Sequence, residues 1–357
     1  MANAVALMRL LGTPLILAPM AGGISTPELL AAAARGGALG LWPAGYRNPD
    51  QLAEDLFALR QAGAGVGGVN LFVPPPDSES GDVDNAEAAD NPDPAADAAV
   101  EAYARLISRE ADRLGVRLGF TRRSDDWFAD KVAILAADPV PAVSFTFGLP
   151  PQSAIAALRA AGSVLIATVT NPAEARAATE AGLDAQRVQA GTAGGHRGTF
   201  GNYAGSTLPL SDLLRAVREV SPLPLIAAGG ISSAAELSAA LRAGAVAAQV
   251  GTAFLGATES GTSAAHRAAL TAPGARTAVT RAFTGRPARA IVNDFLLRYG
   301  EDAPAAYPAV HALTTPLRRA GAAAGDASVL AMWAGIGHAR ARNDSAEQIA
   351  ADLLSGA

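Results

Sequence analysis

Cysteine is absent from the 357 residues. Its absence excludes disulfides, thiolate metal sites and a cysteine nucleophile, and agrees with a reducing compartment. Lysine is nearly absent too, Lys131 being the only one. A Schiff-base aldolase needs a lysine at a strand end, whereas Lys131 follows Trp127-Phe128-Ala129-Asp130 and lies ahead of a strand candidate. Aromatic residues make up 5% of the chain, no basic run is interleaved with them, and the net charge is −5. That balance argues against nucleic acid as a partner. The four histidines, His196, His266, His311 and His338, show no ligand spacing, so no metal site is expected. No apolar run approaches the roughly 18 residues of a membrane span. Met1 to Gly12 carry Arg9 alone ahead of the first strand candidate, without the pattern of a secretory signal. The chain therefore reads as cytoplasmic.

What is present is a chain half hydrophobic, with 37 glycines and 23 prolines. Short apolar runs alternate with Ala-rich helical stretches, which predicts βα units around a parallel sheet. Eight strand candidates stand at 15–20, 38–42, 66–72, 142–147, 164–169, 187–190, 224–228 and 246–250. Helix starts are marked by Thr26-Pro27, Asn48-Pro49, Asn171-Pro172 and Ser232-Ser233. Eight βα steps predict an α/β fold, a (β/α)8 TIM barrel over residues 1–265. An acidic insertion over 74–99 interrupts it, with eight acidic residues and no basic one between Asp77 and Asp97. We read it as a solvated loop after the third strand, followed by a helix over about 98–114. Residues 266–357 are expected to supply a final barrel helix and a helical C-terminal subdomain.

In such a barrel the chemistry lies at the C-terminal ends of the strands. After the seventh candidate comes Ala228-Gly229-Gly230-Ile231-Ser232-Ser233, and after the eighth Gln249-Val250-Gly251-Thr252-Ala253. Glycines followed by Ser or Thr at a helix start expose backbone N–H groups to an anion, so Gly229, Gly230, Gly251 and Thr252 are candidate phosphate ligands. Asn70 and Gln189 place amides at strand ends, able to donate and accept along the heteroatom edge of a flavin. The sixth candidate opens into Val188-Gln189-Ala190-Gly191-Thr192-Ala193-Gly194-Gly195-His196-Arg197-Gly198-Thr199-Phe200. His196, at the mouth of that glycine-rich loop, is the candidate base.

The segments Pro19-Met20-Ala21-Gly22-Gly23-Ile24-Ser25-Thr26-Pro27-Glu28-Leu29, Ser144-Phe145-Thr146-Phe147-Gly148-Leu149-Pro150, Ala193-Gly194-Gly195-His196-Arg197-Gly198, Ala227-Ala228-Gly229-Gly230-Ile231 and Gln249-Val250-Gly251-Thr252-Ala253-Phe254-Leu255 occur in the order found in nitronate monooxygenases. Thr284-Gly285-Arg286-Pro287-Ala288-Arg289 with Asn293 also resembles that family, and Trp333-Ala334-Gly335 fits more loosely. The resemblance spans residues 15 to about 295. It implies an FMN enzyme that oxidises alkyl nitronates with O2 to a carbonyl compound and nitrite. It implies further that Gly229, Gly230, Gly251 and Thr252 hold the FMN phosphate, and that Met20, Asn70, Gln189 and Gln249 line the flavin or its ribityl chain. Gly194 and Gly195 would let the backbone approach the cofactor, and His196 would face the substrate. Phe145 and Phe147 would form an apolar wall, or else belong to the barrel core. The implied partners are a small nitronate or nitroalkane and O2, with a homodimer as the candidate assembly.

One departure stands out. Nitronate monooxygenases usually read Gln-Gly-x-Glu-Ala-Gly-Gly-His, but Ala190 replaces the first glycine here and Thr192 the glutamate. The expectation is that this loss alters the orientation or pKa of His196. Two alternatives remain at this point. One is an FMN-dependent NAD(P)H reductase of the enoyl-acyl-carrier-protein or quinone reductase type, which shares the Gly-Gly-His loop. The other is a non-redox barrel binding a phosphorylated metabolite.

Overall fold

A computed structural model of the chain describes residues 7, 9–74, 94–120 and 125–356. The acidic loop expected over 74–99 falls mainly on residues 75–93, outside the described residues. Eight parallel strands close into a barrel: β1 (Leu15–Leu17), β2 (Leu39–Pro43), β3 (Val66–Phe72), β4 (Ala142–Thr146), β5 (Val164–Val169), β6 (Ala185–Gln189) and, after the two-residue β7 (Gly195–His196) has left the ring, β8 (Leu225–Ala228) and β9 (Ala247–Val250). The ring closes where Leu15, Ile16 and Leu17 pair with Ala248, Gln249 and Val250. This is a TIM barrel.

The strands are near-continuous apolar runs because helices cover one face and the barrel interior the other; all six residues of β5 are buried. Helices α1 (Pro27–Arg35), α2 (Pro49–Gln61), α3 (Pro94–Leu114), α4 (Phe128–Ala137), α5 (Gln152–Ala160), α6 (Pro172–Glu180), α7 (Leu210–Arg218) and α8 (Ala234–Arg242) follow in turn. Their starts are capped where the sequence predicts. Thr26 accepts the Leu29 N–H at 3.0 Å, Asn48 and Gln51 form a capping box, and Asn171 and Ser233 accept from Glu174 and Glu236.

The barrel interior has two halves. Leu7, Leu11, Ile16, Leu41, Val164, Ile166 and Ile226 fill the end where the strands begin. At the other end the inward side chains are polar: Asn70, Ser144, Thr146, Thr168, Arg187 and Gln249. Only that end can receive a polar ligand.

Beyond β9 the chain leaves the barrel through α9 (Ala264–Leu270), β10 (Thr277–Thr280), β11 (Ala288–Ile291), α10 (Asp294–Tyr299) and α11 (Ala309–Ala324). β10 and β11 are antiparallel, and β11 pairs in turn with β7, Ala288 opposite His196 and Arg289 opposite Gly195. The region expected to be helical thus contains two strands. Packing crosses residue 265 twice. Tyr103 and Ile107 of α3 share a core with Phe283, Phe295, Val310 and Leu317. The last helix, α12 (Ala346–Leu354), returns to pack on α1 and α8, closing the helical ring.

Candidate active site

A cavity of about 250 Å³ opens at the C-terminal ends of the strands. It is lined by Met20 after β1, Tyr46 after β2, Asn70 and Phe72 on β3, and Thr146 and Phe147 on and after β4. Arg187, Gln189 and Gly194–His196 contribute from β6 and its loop, Gly229–Ser232 from beyond β8, and Gln249–Thr252 from β9. The C-terminal region adds Thr284, His311, Arg318, Trp333 and Gly335. Two arginines and no acidic residue line it. The cavity is therefore positive in a protein whose net charge is −5.

The two glycine loops make one cradle. Gly229 and Gly230 adopt φ of +108° and +78°, a region closed to most side chains. Among the described residues, the N–H groups of Gly229, Gly230, Gly251 and Thr252 have no protein acceptor. Four unsatisfied donors at one cavity wall are an anion site. The N-terminus of α8 is already served by the protein: Glu236 accepts from the Ser232 N–H at 2.8 Å and from both serine hydroxyls. An anion here binds the glycine loops rather than that helix end.

Arg187 stands beneath the cavity floor. Its Nε donates to Thr168 at 3.0 Å, Nη1 to the Gln249 carbonyl oxygen at 3.0 Å, and Nη2 to Asn70 at 3.1 Å and Thr146 at 2.9 Å. Four strands hold the guanidinium, yet no carboxylate pairs with it among the described residues. Burial lowers its pKa to about 10. The Asn70 and Gln249 side-chain oxygens both accept from Arg187, which leaves their amide N–H groups to other partners. Gln189 has a different task. It accepts the Gly198 N–H at 2.8 Å and donates to the His196 carbonyl at 3.1 Å, bracing the loop that carries the histidine.

His196 is enclosed by rings. Phe147 and Tyr307 meet it edge-on at 5.7 and 6.0 Å between centroids, and Trp333 lies tilted at 5.4 Å. Its Nε2 faces the Thr284 hydroxyl at 3.0 Å. Burial, then the guanidiniums of Arg286 and Arg318, hold its pKa down to about 3, so the imidazole is neutral at working pH. Arg286 stacks over Phe147 at 3.9 Å and donates to the carbonyls of Thr199 and Gly201. Phe147 carries φ of +83°, which a non-glycine residue rarely adopts, and it presents its ring to the cavity.

Met20, Asn70, Gln189, Gly194, Gly195, His196, Gly229, Gly230, Gln249, Gly251, Thr252 and Phe147 thus all line one cavity. Phe145 does not. Side chains alternate along a strand, Ser144 and Thr146 reach Asn70 inside the barrel, and Phe145 is buried in the outer core instead. Gly194 is small for a neighbour within the chain: a Cβ there would lie 2.5 Å from the Gly335 nitrogen and 2.6 Å from the Ala334 carbonyl carbon. Thr192 lies against Gly230, and its carbonyl accepts the Ile336 N–H at 3.2 Å, so it neighbours the cradle.

Sequence reading gave no site role to Arg187, Tyr46, His311 and Arg318, and met Thr284 and Trp333 only within family-like segments. Arg187 had a signal: a charged residue inside an otherwise buried strand, two before Gln189 and on the same face. His311 and Arg318 had none, because what brings them to the barrel mouth is tertiary packing.

A family model described as nitronate monooxygenase matches residues 5–356. A probable nitronate monooxygenase of Staphylococcus aureus (strain Newman) is 34% identical over 350 residues, which cover 96% of this chain and 93% of the relative. One from Staphylococcus saprophyticus is 35% identical over 328 residues, covering 90% and 88%. Among solved structures, a nitroalkane oxidase from Streptomyces ansochromogenes superposes with a TM-score of 0.88 at 45% identity, covering 98% of each chain. FabK from Thermotoga maritima shares the fold, with a TM-score of 0.72 at 24% identity over 98% of this chain and 94% of that one.

Proposed function

The chain belongs to the nitronate monooxygenase family, and on that premise we propose that it oxidises alkyl nitronates with O2 to a carbonyl compound and nitrite, using FMN. Membership makes it an oxidoreductase. The observation that carries the finer reading is the cavity itself, with a cradle of unsatisfied N–H groups at one side and a positive interior without any carboxylate.

The residues fit FMN. Gly229, Gly230, Gly251 and Thr252 would hold the phosphate, while Met20, Asn70, Gln249 and Arg187 would line the ring system and its chain. Bound FMN would supply the electron transfer that no side chain in the cavity can perform. The chain's own residues bind, orient and exclude water. The rings of Phe147, Tyr307 and Trp333 keep the space beside His196 dry. Neutral His196 can accept a hydrogen bond or a proton. Its conjugate acid is held down to about 3, so the imidazole is unprotonated and free to take the α-proton of a neutral nitroalkane or to position a preformed nitronate. Cytoplasmic residence belongs to the same reading, supported by the absence of cysteine. No helix among the described residues is long and apolar enough to cross a membrane.

Anaerobic mixing tests the reading. The FMN-loaded protein is expected to lose its yellow absorbance with ethyl nitronate and to keep it with NADH or NADPH. Bleaching by NAD(P)H alone would assign a reductase instead, and a colourless protein that takes up no FMN would end both flavin readings.

A further inference from the structure

Arg318 is the second guanidinium of the cavity, and it differs from Arg187 in having a donor to spare. It projects from α11 and folds back along that helix. Nη2 donates to the His311 carbonyl at 3.0 Å and the Thr315 hydroxyl at 2.8 Å, and Nε to Thr314 at 3.2 Å. Nη2 also stands 3.3 Å from Nδ1 of His311. Among the described residues Nη1 has no hydrogen-bond partner, and no carboxylate pairs with the group. The protein encloses it, yet it keeps surface on the cavity. A buried cation without a counter-ion costs several kcal/mol unless something negative meets it.

Its place in the barrel says what that is. Tyr46, Phe72 and Phe147, which follow or end β2, β3 and β4, form this corner, with His311 stacked on Tyr46 at 4.0 Å and 7°. The glycine cradle belongs to β8 and β9, across the ring. The cavity therefore has two anion sites on opposite walls, and the cradle suits the phosphate. The other site is a guanidinium with Nη1 free, beside a flat aromatic stack and close to His196.

We propose that Arg318 is the specificity-determining residue whose free Nη1 meets the negative head group of the substrate, against the Tyr46–His311 stack. A nitronate carries its charge on two oxygens, and the unpaired N–H groups of Nη1 can donate charge-assisted hydrogen bonds to them. This rests on the nitronate reading above and adds to it the residue that selects the anion. Nitrate, planar and anionic, is the non-reacting probe.

With the FMN-loaded enzyme, nitrate is expected to compete with ethyl nitronate. Arg318→Met should raise both the nitrate inhibition constant and the KM for ethyl nitronate by about 10- to 100-fold, the worth of hydrogen bonds to a charged group. The KM for neutral nitroethane should stay where it was, a split that general damage to the fold would not give. Arg318→Lys, which keeps the charge and loses the Nη1 donor held in place by the contacts of Nε and Nη2, should fall between. Absence of nitrate competition in the wild type overturns the proposal without any variant, as does an Arg318→Met or Arg318→Lys enzyme whose KM rises equally for nitronate and nitroethane or for neither. A yellow enzyme that turns over nitronate but ignores nitrate loses only the Arg318 assignment. One that never turns over nitronate loses the nitronate reading, and nitrate titration followed by the flavin spectrum then decides Arg318 separately.

Discussion

At His196 the surroundings oppose protonation, since burial, Arg286 and Arg318 all act in one direction. His196→Asn keeps a polar group facing Thr284 and removes the proton acceptor. It is expected to retain FMN and to lower turnover of neutral nitroalkanes by about 100-fold or more, the usual share of a positioned base. Preformed nitronates should lose much less, and steady-state oxygen uptake with both substrates measures the difference. Equal losses would assign His196 to binding alone. Gly194 can be probed in the same way. Its added methyl would meet the backbone of Ala334 and Gly335, which cannot yield as a flexible side chain can. Gly194→Ala should cost about 1–3 kcal/mol, read as a lower urea midpoint. The sequence displayed both residues within one motif, but the two owe their identity to different things. His196 faces the cavity, and Gly194 faces a strand of chain 140 residues further on (Ala334) that no local pattern announces.

The barrel strands were legible because a parallel strand covered on both faces is a short unbroken apolar run. The start of β6 was not, since Gln186 and Arg187 break the run; both are buried, Gln186 donating to the Ala175 carbonyl at 2.6 Å. β7 was unreadable for a related reason: it is two residues long and exists through β11, about 90 residues away. Among helices, α12 carries a testable load. Ile349 and Leu353 are buried where it meets α1, α8 and β1. Ile349→Ala and Leu353→Ala should each cost about 2–4 kcal/mol in urea unfolding while leaving the KM for nitronate unchanged, because they hollow the core and neither lines the cavity. A changed KM without lost stability would contradict that division.

For the whole molecule, three buried imidazoles set the response to acid. Burial is the first cause at each, holding His196 to about 3, His266 to about 4 and His311 to about 2. In the unfolded chain each takes up a proton below about pH 6.5, while in the fold each stays neutral. The unfolded state therefore binds more protons across that window, and stability falls as pH drops from about 6.5 towards 4, by up to about 1.4 kcal/mol per pH unit for each histidine. Thermal midpoints measured across the window should show the slope. His266→Gln, which lies outside the cavity lining, should flatten it by one histidine's share; an unchanged slope would mean His266 is protonated in the fold.

The return of α12 to α1 also bears on how the protein is made. On the ribosome, α12 is translated after every other described element, yet it closes the ring beside one of the first helices to emerge. The nascent chain would hold β1 and α1 exposed on that side until α12 has emerged, so losing α12 would uncover elements made long before it.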